Sequence, residues 1–193
     1  MSHPVFSPHS FAIHHSTFIL YSFLFTMTAE IYKIAQSIVT LLSDEGLSVC
    51  TAESCTGGGI VAALTAVPGS SACVKGGVVA YAEEIKVHLL GVSPETLSTD
   101  GVVSKRTVME MAKGAMKTMN SDFAVATSGL AGPSGGTKEI PVGTIWIAVA
   151  SRNETCAHCI QHFNNGRSEN VRNAVQVALE MLQKKVVKEE NRP

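Results

Sequence analysis

The first 27 residues contain no aspartate, glutamate, lysine or arginine. That absence removes the basic segment a secretory signal needs, and no small-residue cleavage site follows the apolar run FILYSFLF at 18–25. The run is also far shorter than the ~20 residues of a membrane span. Across the chain, charge is sparse at 16 % and aromatics at 6 %. Fifteen basic residues against sixteen acidic ones leave a net charge of −1, so no excess of positive charge argues for nucleic acid or an anionic membrane. The five cysteines, at 50, 55, 73, 156 and 159, are odd in number and lack a framework spacing. A reduced, cytoplasmic protein fits them better than a disulfide scaffold. Histidine is scarce where nucleophilic chemistry would want it. Only His88 lies between residues 16 and 157, and a helix-surface role suits it better than catalysis.

What is present is a chain of 193 residues, 45 % of them apolar, enough for one domain with a real core and too short for two. It has a compositional seam. The first 27 residues hold six of eleven aromatics and four of seven histidines, and all thirty-one charges follow Met27. Met27-Thr28-Ala29-Glu30 then opens an amphipathic helix as a native start would. Residues 1–27 are therefore expected to be an extension, disordered or ahead of the true start, with targeting or membrane attachment as the competing reading. The domain is expected at 28–193.

Hydrophobic periodicity predicts a helix over 28–45, a short strand over 47–51, and a helix at IVAALTAV stopped by Pro68-Gly69. A strand over 74–81, a short helix over 83–90, a brief turn or helix from Ser93 and a helix over 105–119 follow. Strands at 123–128, 142–150 and 155–163 and a last helix from about 168 complete the chain. Helices between strands imply a three-layer α/β/α sandwich. A hairpin at 151–153 makes at least one strand antiparallel, so the sheet is expected to be mixed and mostly parallel.

Cys156, His158, Cys159 and His162 superficially resemble a zinc cluster. On a strand, however, Cys156, His158 and His162 face one way and Cys159 the other, so no metal site is expected there.

The strongest local signal is Thr51-Ala52-Glu53-Ser54-Cys55-Thr56-Gly57-Gly58: a strand ends, a tight turn follows, and a helix begins at paired glycines. A side chain at such a turn is exposed at the sheet edge beside free helix amides, which can hold an oxyanion or a phosphate. The competing reading is that Ser54 or Thr56 merely caps the helix. Cys55, beside the helix start, is a tempting nucleophile without a histidine partner. A serine needs a base, and without histidine the candidate is a lysine whose pKa burial lowers. Lys86 qualifies, five residues beyond Tyr81, which could relay a proton or orient the amine. A solvated helix lysine is the bland alternative. The second signal is the loop from Gly129 to Thr137, whose four glycines would let amides approach a ligand and form an anion nest; a surface turn is its alternative. Gly166-Arg167 opens the last helix and offers a cation for a phosphate.

These segments resemble the CinA C-terminal domain family, which includes the PncC-type nicotinamide-nucleotide amidases. The resemblance rests on TAESCTGG (51–58), PGSSA (68–72), VVAYAEEIKVHLLGV (78–92), SGLAGPSGGTKEIPVGTIWIAVA (128–150) and the Gly-Arg opening of the last helix. It spans essentially all of 28–193. It implies an enzyme that deamidates nicotinamide mononucleotide to nicotinate mononucleotide and ammonia in pyridine nucleotide recycling. Carried across by motif, Ser54 is the nucleophile and Lys86 the base, with Tyr81 and Ser71 as supporting hydrogen-bonding groups. Amides near Cys55 and Thr56 would steady the oxyanion, and Gly57, Ser128, Gly129, Ala131, Gly132 and Arg167 would join Cys55 and Thr56 in binding the substrate. The resemblance implies no metal or organic cofactor, and it suggests a homo-oligomer. One departure stands out: where the family commonly has asparagine two residues after the tyrosine, this chain has Glu83. At three-residue spacing on a helix, Glu83 would pair with Lys86 and favour its charged form. The competing functions are a catalytically silent nucleotide-binding or regulatory module and an amidohydrolase for another small carboxamide.

Overall fold

A computed structural model describes residues 27–161 and 166–190. The expectations for the extension up to residue 26 and for His162 lie outside the described residues. The elements are α1 (Ala29–Asp44), β1 (Val49–Glu53), α2 (Gly59–Thr65), a 3-10 turn (Ser70–Ala72), β2 (Val74–Val79), α3 (Glu83–His88), α4 (Pro94–Thr99), α5 (Lys105–Met119), β3 (Phe123–Gly129), β4 (Thr144–Ser151), β5 (Thr155–Gln161) and α6 (Arg167–Glu190). The segment after Ser93 is a helix, because the Ser93 hydroxyl caps it and Pro94 sits at its first position, where its missing N–H costs nothing.

The five strands lie in the order β2-β1-β3-β4-β5. β1 pairs in parallel with β2 and β3, while β4 runs antiparallel to both of its neighbours. Four strands thus point one way and β4 runs against them: a mixed, mostly parallel sheet. α1, α2 and α6 cover one face and α5 the other, giving three layers.

Alternation along the strands explains why the two faces differ. Val49, Phe123, Val125, Ile145, Ile147 and Val149 point to the α1/α2/α6 side. Cys50, Ala52, Ala124, Ala126, Ala148 and Ala150 point to α5. Small side chains on that second face let α5 lie close. Gly114 of α5 shows how close its own neighbours come: a Cβ there would run into the main chain of Leu90. On the first face, α1 buries Ile31, Ala35, Ile38, Val39 and Leu42. Each such full burial of an Ile, Val or Leu contributes about 1.5–3 kcal/mol.

One boundary matters for function. β1 runs over Val49–Glu53 rather than 47–51. Its start is held back because the Asp122 carboxylate takes both the amide and the hydroxyl of Ser48, at 2.9 and 2.7 Å. The two-residue period then places Val49, Thr51 and Glu53 on the same side, facing α2. On β5, His158 is exposed and Cys159 half-buried, and all five cysteines are free thiols. Among the described residues no helix is long and apolar enough to cross a membrane.

Candidate active site

The carboxyl ends of β1, β2 and β3 meet at one edge of the sheet, the place where open α/β sheets bind ligands. Ser54 follows β1 directly, and its amide donates to the Thr127 carbonyl of β3 at 3.0 Å. The chain then turns sharply. Gly57 and Gly58 take φ of +61° and +96°, values a side chain would strain. Gly57 N–H donates back to the Ser54 carbonyl at 3.1 Å, closing the turn before α2.

Lys86 arrives from α3. Its side chain is almost wholly buried, only 2 % exposed. Its Nζ donates to the Ala80 carbonyl at 2.6 Å and to Ser54 Oγ at 3.1 Å. Burial lowers the lysine below its ordinary value of 10.5, outweighing the upward pull of Glu83 and Cys55. Glu83 itself is exposed and forms no ion pair with Lys86 among the described residues, so the pairing its spacing suggests is not made. It lies on the first turn of a six-residue helix, in water, where its field is weakened.

Neither Ser54 nor Thr56 caps α2. That role falls to Glu53, which sequence reasoning did not single out. Glu53 is fully buried, and its carboxylate accepts the amides of Gly58, Ile60 and Val61 at 3.0, 3.0 and 2.8 Å. It also accepts the hydroxyls of Thr51 and Thr56, at 3.1 and 2.7 Å. Since Thr56 spends its one hydrogen on Glu53, Thr127 Oγ1 must donate to Thr56 Oγ1 across their 2.7 Å contact. A readable signal existed: a glutamate in an apolar strand, on the α2 face, ahead of a helix whose N-cap is a glycine without a side chain. The Gly58, Ile60 and Val61 amides are thus taken by the chain's own carboxylate, and the Gly57 amide by the Ser54 carbonyl.

Cys55 is not a competitor to Ser54. Its thiol is 6 % exposed, and burial pushes it up to about 12, so it stays protonated at neutral pH.

Opposite Ser54's turn, the first turn of α6 fastens the glycine-rich loop. Arg167 Nη1 donates to the Gly132 carbonyl at 2.9 Å, and Asn170, one turn on, donates to the Ala131 carbonyl at 3.0 Å. Arg167 Nη2 also reaches the hydroxyl of Tyr81 at 3.4 Å. Tyr81 is exposed, and that hydroxyl pairs with Arg167 rather than with Lys86. Several loop residues also make contacts inward. The Ser128 hydroxyl donates to the Val102 carbonyl at 2.7 Å, and Ala131 is buried. Gly129 is glycine because a Cβ would lie 2.6 Å from the main chain of β4. Gly132, with φ of +88°, carries the carbonyl that Arg167 reads.

Ser71 is not brought to this edge. It is exposed in the 3-10 turn before β2, at the end of the sheet where Val74 pairs with Val49. The length of β1, roughly 15 Å, separates it from Ser54. A cavity of about 660 Å³ also lies elsewhere, over α5, lined by Asp100, Ser104, Arg106, Met109 and Lys113. The candidate site is marked instead by the polar groups that converge at the strand ends.

These features define a three-layer α/β domain that holds a buried lysine against a serine at its strand ends. The chain belongs to the CinA C-terminal domain family, whose model matches residues 31–186. It is 47 % identical over 158 residues to a CinA-like protein of Shewanella pealeana, covering 81 % of this chain and 37 % of that one. A relative from Shewanella oneidensis, named nicotinamide-nucleotide amidohydrolase PncC, is 45 % identical over 156 residues, again 81 % of this chain and 37 % of the relative. The chain thus spans little more than a third of these relatives. Among solved structures, the competence/damage inducible protein CihA of Agrobacterium tumefaciens superposes with a TM-score of 0.82 at 42 % identity, covering 85 % of this chain and 99 % of that one. A CinA superfamily protein from Klebsiella pneumoniae gives 0.78 at 34 %, covering 82 % and 98 %.

Proposed function

We propose that the domain is an amidohydrolase that deamidates nicotinamide mononucleotide through Ser54 and Lys86. The observation that carries this reading is the 3.1 Å contact between Ser54 Oγ and a buried Lys86 Nζ whose pKa burial lowers. A neutral amine keeps one N–H on the Ala80 carbonyl and turns its lone pair to the Ser54 hydroxyl. Lys86 takes the Ser54 proton as Oγ attacks the carboxamide carbon. The turn amides of Cys55 and Thr56 steady the oxyanion, because the α2 amides are occupied by Glu53. Lys86 then protonates the departing ammonia. Water, deprotonated by Lys86, hydrolyses the acyl-enzyme and frees nicotinate mononucleotide. The Arg167 guanidinium, held at the same edge by Gly132 and Tyr81, suits the substrate phosphate. The name carried by the Shewanella oneidensis relative supports the choice of substrate.

The test is ammonia release from nicotinamide mononucleotide by purified 1–193 and 28–193. Release that Ser54→Ala and Lys86→Ala each abolish is the expected result. No release by either chain, or release that survives Ser54→Ala, overturns the proposal.

A further inference from the structure

Glu53 touches both halves of the frame that brings Ser54 and Lys86 together. Its carboxylate gathers five donors, among them the Thr56 hydroxyl and the Gly58 amide of the turn that carries Ser54. Its main-chain carbonyl accepts the Ala80 amide at 2.8 Å. The Ala80 carbonyl in turn accepts Lys86 Nζ. A glutamate that only capped a helix would need the α2 amides alone. This one, fully buried at the end of β1, also ties the nucleophile's turn to the strand end that orients the base.

We propose that Glu53 is a positioning residue: its carboxylate fixes the Ser54 turn so that Oγ meets Lys86. The inference rests on the serine–lysine reading above and deepens it. Gln at this position keeps the shape but offers one accepting oxygen, and its NH2 group faces donors, so part of the clamp on the turn is lost. The main-chain link to Ala80 stays.

The experiment measures Ser54 reactivity without the natural substrate. A fluorophosphonate probe labels the full chain, intact mass reports the rate, and a pH series resolves its plateau and midpoint. Glu53→Gln is expected to lower the plateau at least fivefold at an unchanged midpoint, since Lys86 keeps its surroundings. Asp122→Asn weakens the same strand at its far end and is expected to lower stability but not the labelling of folded protein. Thr56→Val loosens the same clamp more gently and is expected to move the plateau in the same direction, which decides the matter if Glu53→Gln fails to fold. A plateau reduced less than fivefold in Glu53→Gln, or an equal fall in Asp122→Asn, overturns the proposal. A shifted midpoint at a full plateau also overturns it, because Glu53 would then act on the lysine's charge. If the unmutated chain is not labelled, the serine–lysine reading itself falls and takes this one with it.

Discussion

Ser54 Oγ and Lys86 Nζ stand 3.1 Å apart although 32 positions separate them in the chain. The contact is made by two strand ends, β1 delivering the serine and β2, through α3, the lysine. It places an amine in the interior, where its charged form is disfavoured.

Activity should therefore rise with pH as Lys86 loses its proton, with a midpoint below the 10.5 of an ordinary lysine. Stability carries the same signature. Between the folded and unfolded pKa values the native state binds fewer protons than the unfolded chain, so stability increases with pH across that window. Lys86→Met removes that slope. Its melting temperature relative to the unmutated chain is expected to fall as pH rises towards 10.5. A pH-independent difference in thermal melts would show that the buried amine titrates as an ordinary lysine.

Glu83 bears on the same proton. It pulls the Lys86 pKa up, against the larger downward effect of burial. Glu83→Asn should move the midpoint of the pH–rate profile further down and raise the rate at pH 7. The gain should be only a few-fold, and smaller in high salt, because Glu83 is exposed. A midpoint that moves up would reverse the assignment.

Arg167 should show in binding rather than in chemistry. Loss of a charge-assisted contact to phosphate costs about 1.5–3 kcal/mol, which is roughly a 10- to 150-fold rise in KM. Arg167→Met is expected to raise KM for nicotinamide mononucleotide by that order while kcat changes less. Steady-state kinetics with the mononucleotide and with nicotinamide itself separate the two. The nucleobase alone has no phosphate to lose.

Gly114 sets two effects against each other. Alanine would favour the α5 helix by up to about 1 kcal/mol. The added Cβ, however, would strike the Leu90 main chain, which ends the segment carrying Lys86. Backbone cannot swing aside as a flexible side chain can, and overpacking costs about 1–3 kcal/mol. Gly114→Ala should be destabilising by about 1–2 kcal/mol in urea melts. A stabilised variant would mean that Leu90 yields.

Most of the architecture was legible in the sequence because each face of each element repeats at its own period. Val-Ala alternation in β3 and β4, and the Ile31, Ala35, Ile38, Leu42 stripe of α1, are patterns of that kind. The serine and lysine were legible as candidates because the chain offers few other partners for a nucleophile. What escaped was Glu53. Apolar periodicity ends the strand at Thr51, since a charged residue ordinarily marks a surface, and only the tertiary donors that surround Glu53 make its burial tolerable. The contacts of Ser128 and Gly129 were not legible either, since they depend on which strand and loop pack beside them: Gly129 receives the backbone of β4 and Ser128 ties down Val102. Ser71 was carried by resemblance alone, and position in a motif says nothing of which end of a sheet it occupies.

The first turn of α6 grips two consecutive carbonyls of the glycine-rich loop, Ala131 through Asn170 and Gly132 through Arg167. The rest of that helix is rooted in the interior by Ala174, Val175, Ala178, Leu179, Leu182 and Val186. The loop is therefore an outpost of the core. A cavity carved far along α6, at Leu182 for instance, would loosen the carbonyls that hold Arg167 without touching any group at the strand ends. On the proposed role of Arg167, substrate affinity depends on the packing of the C-terminal helix.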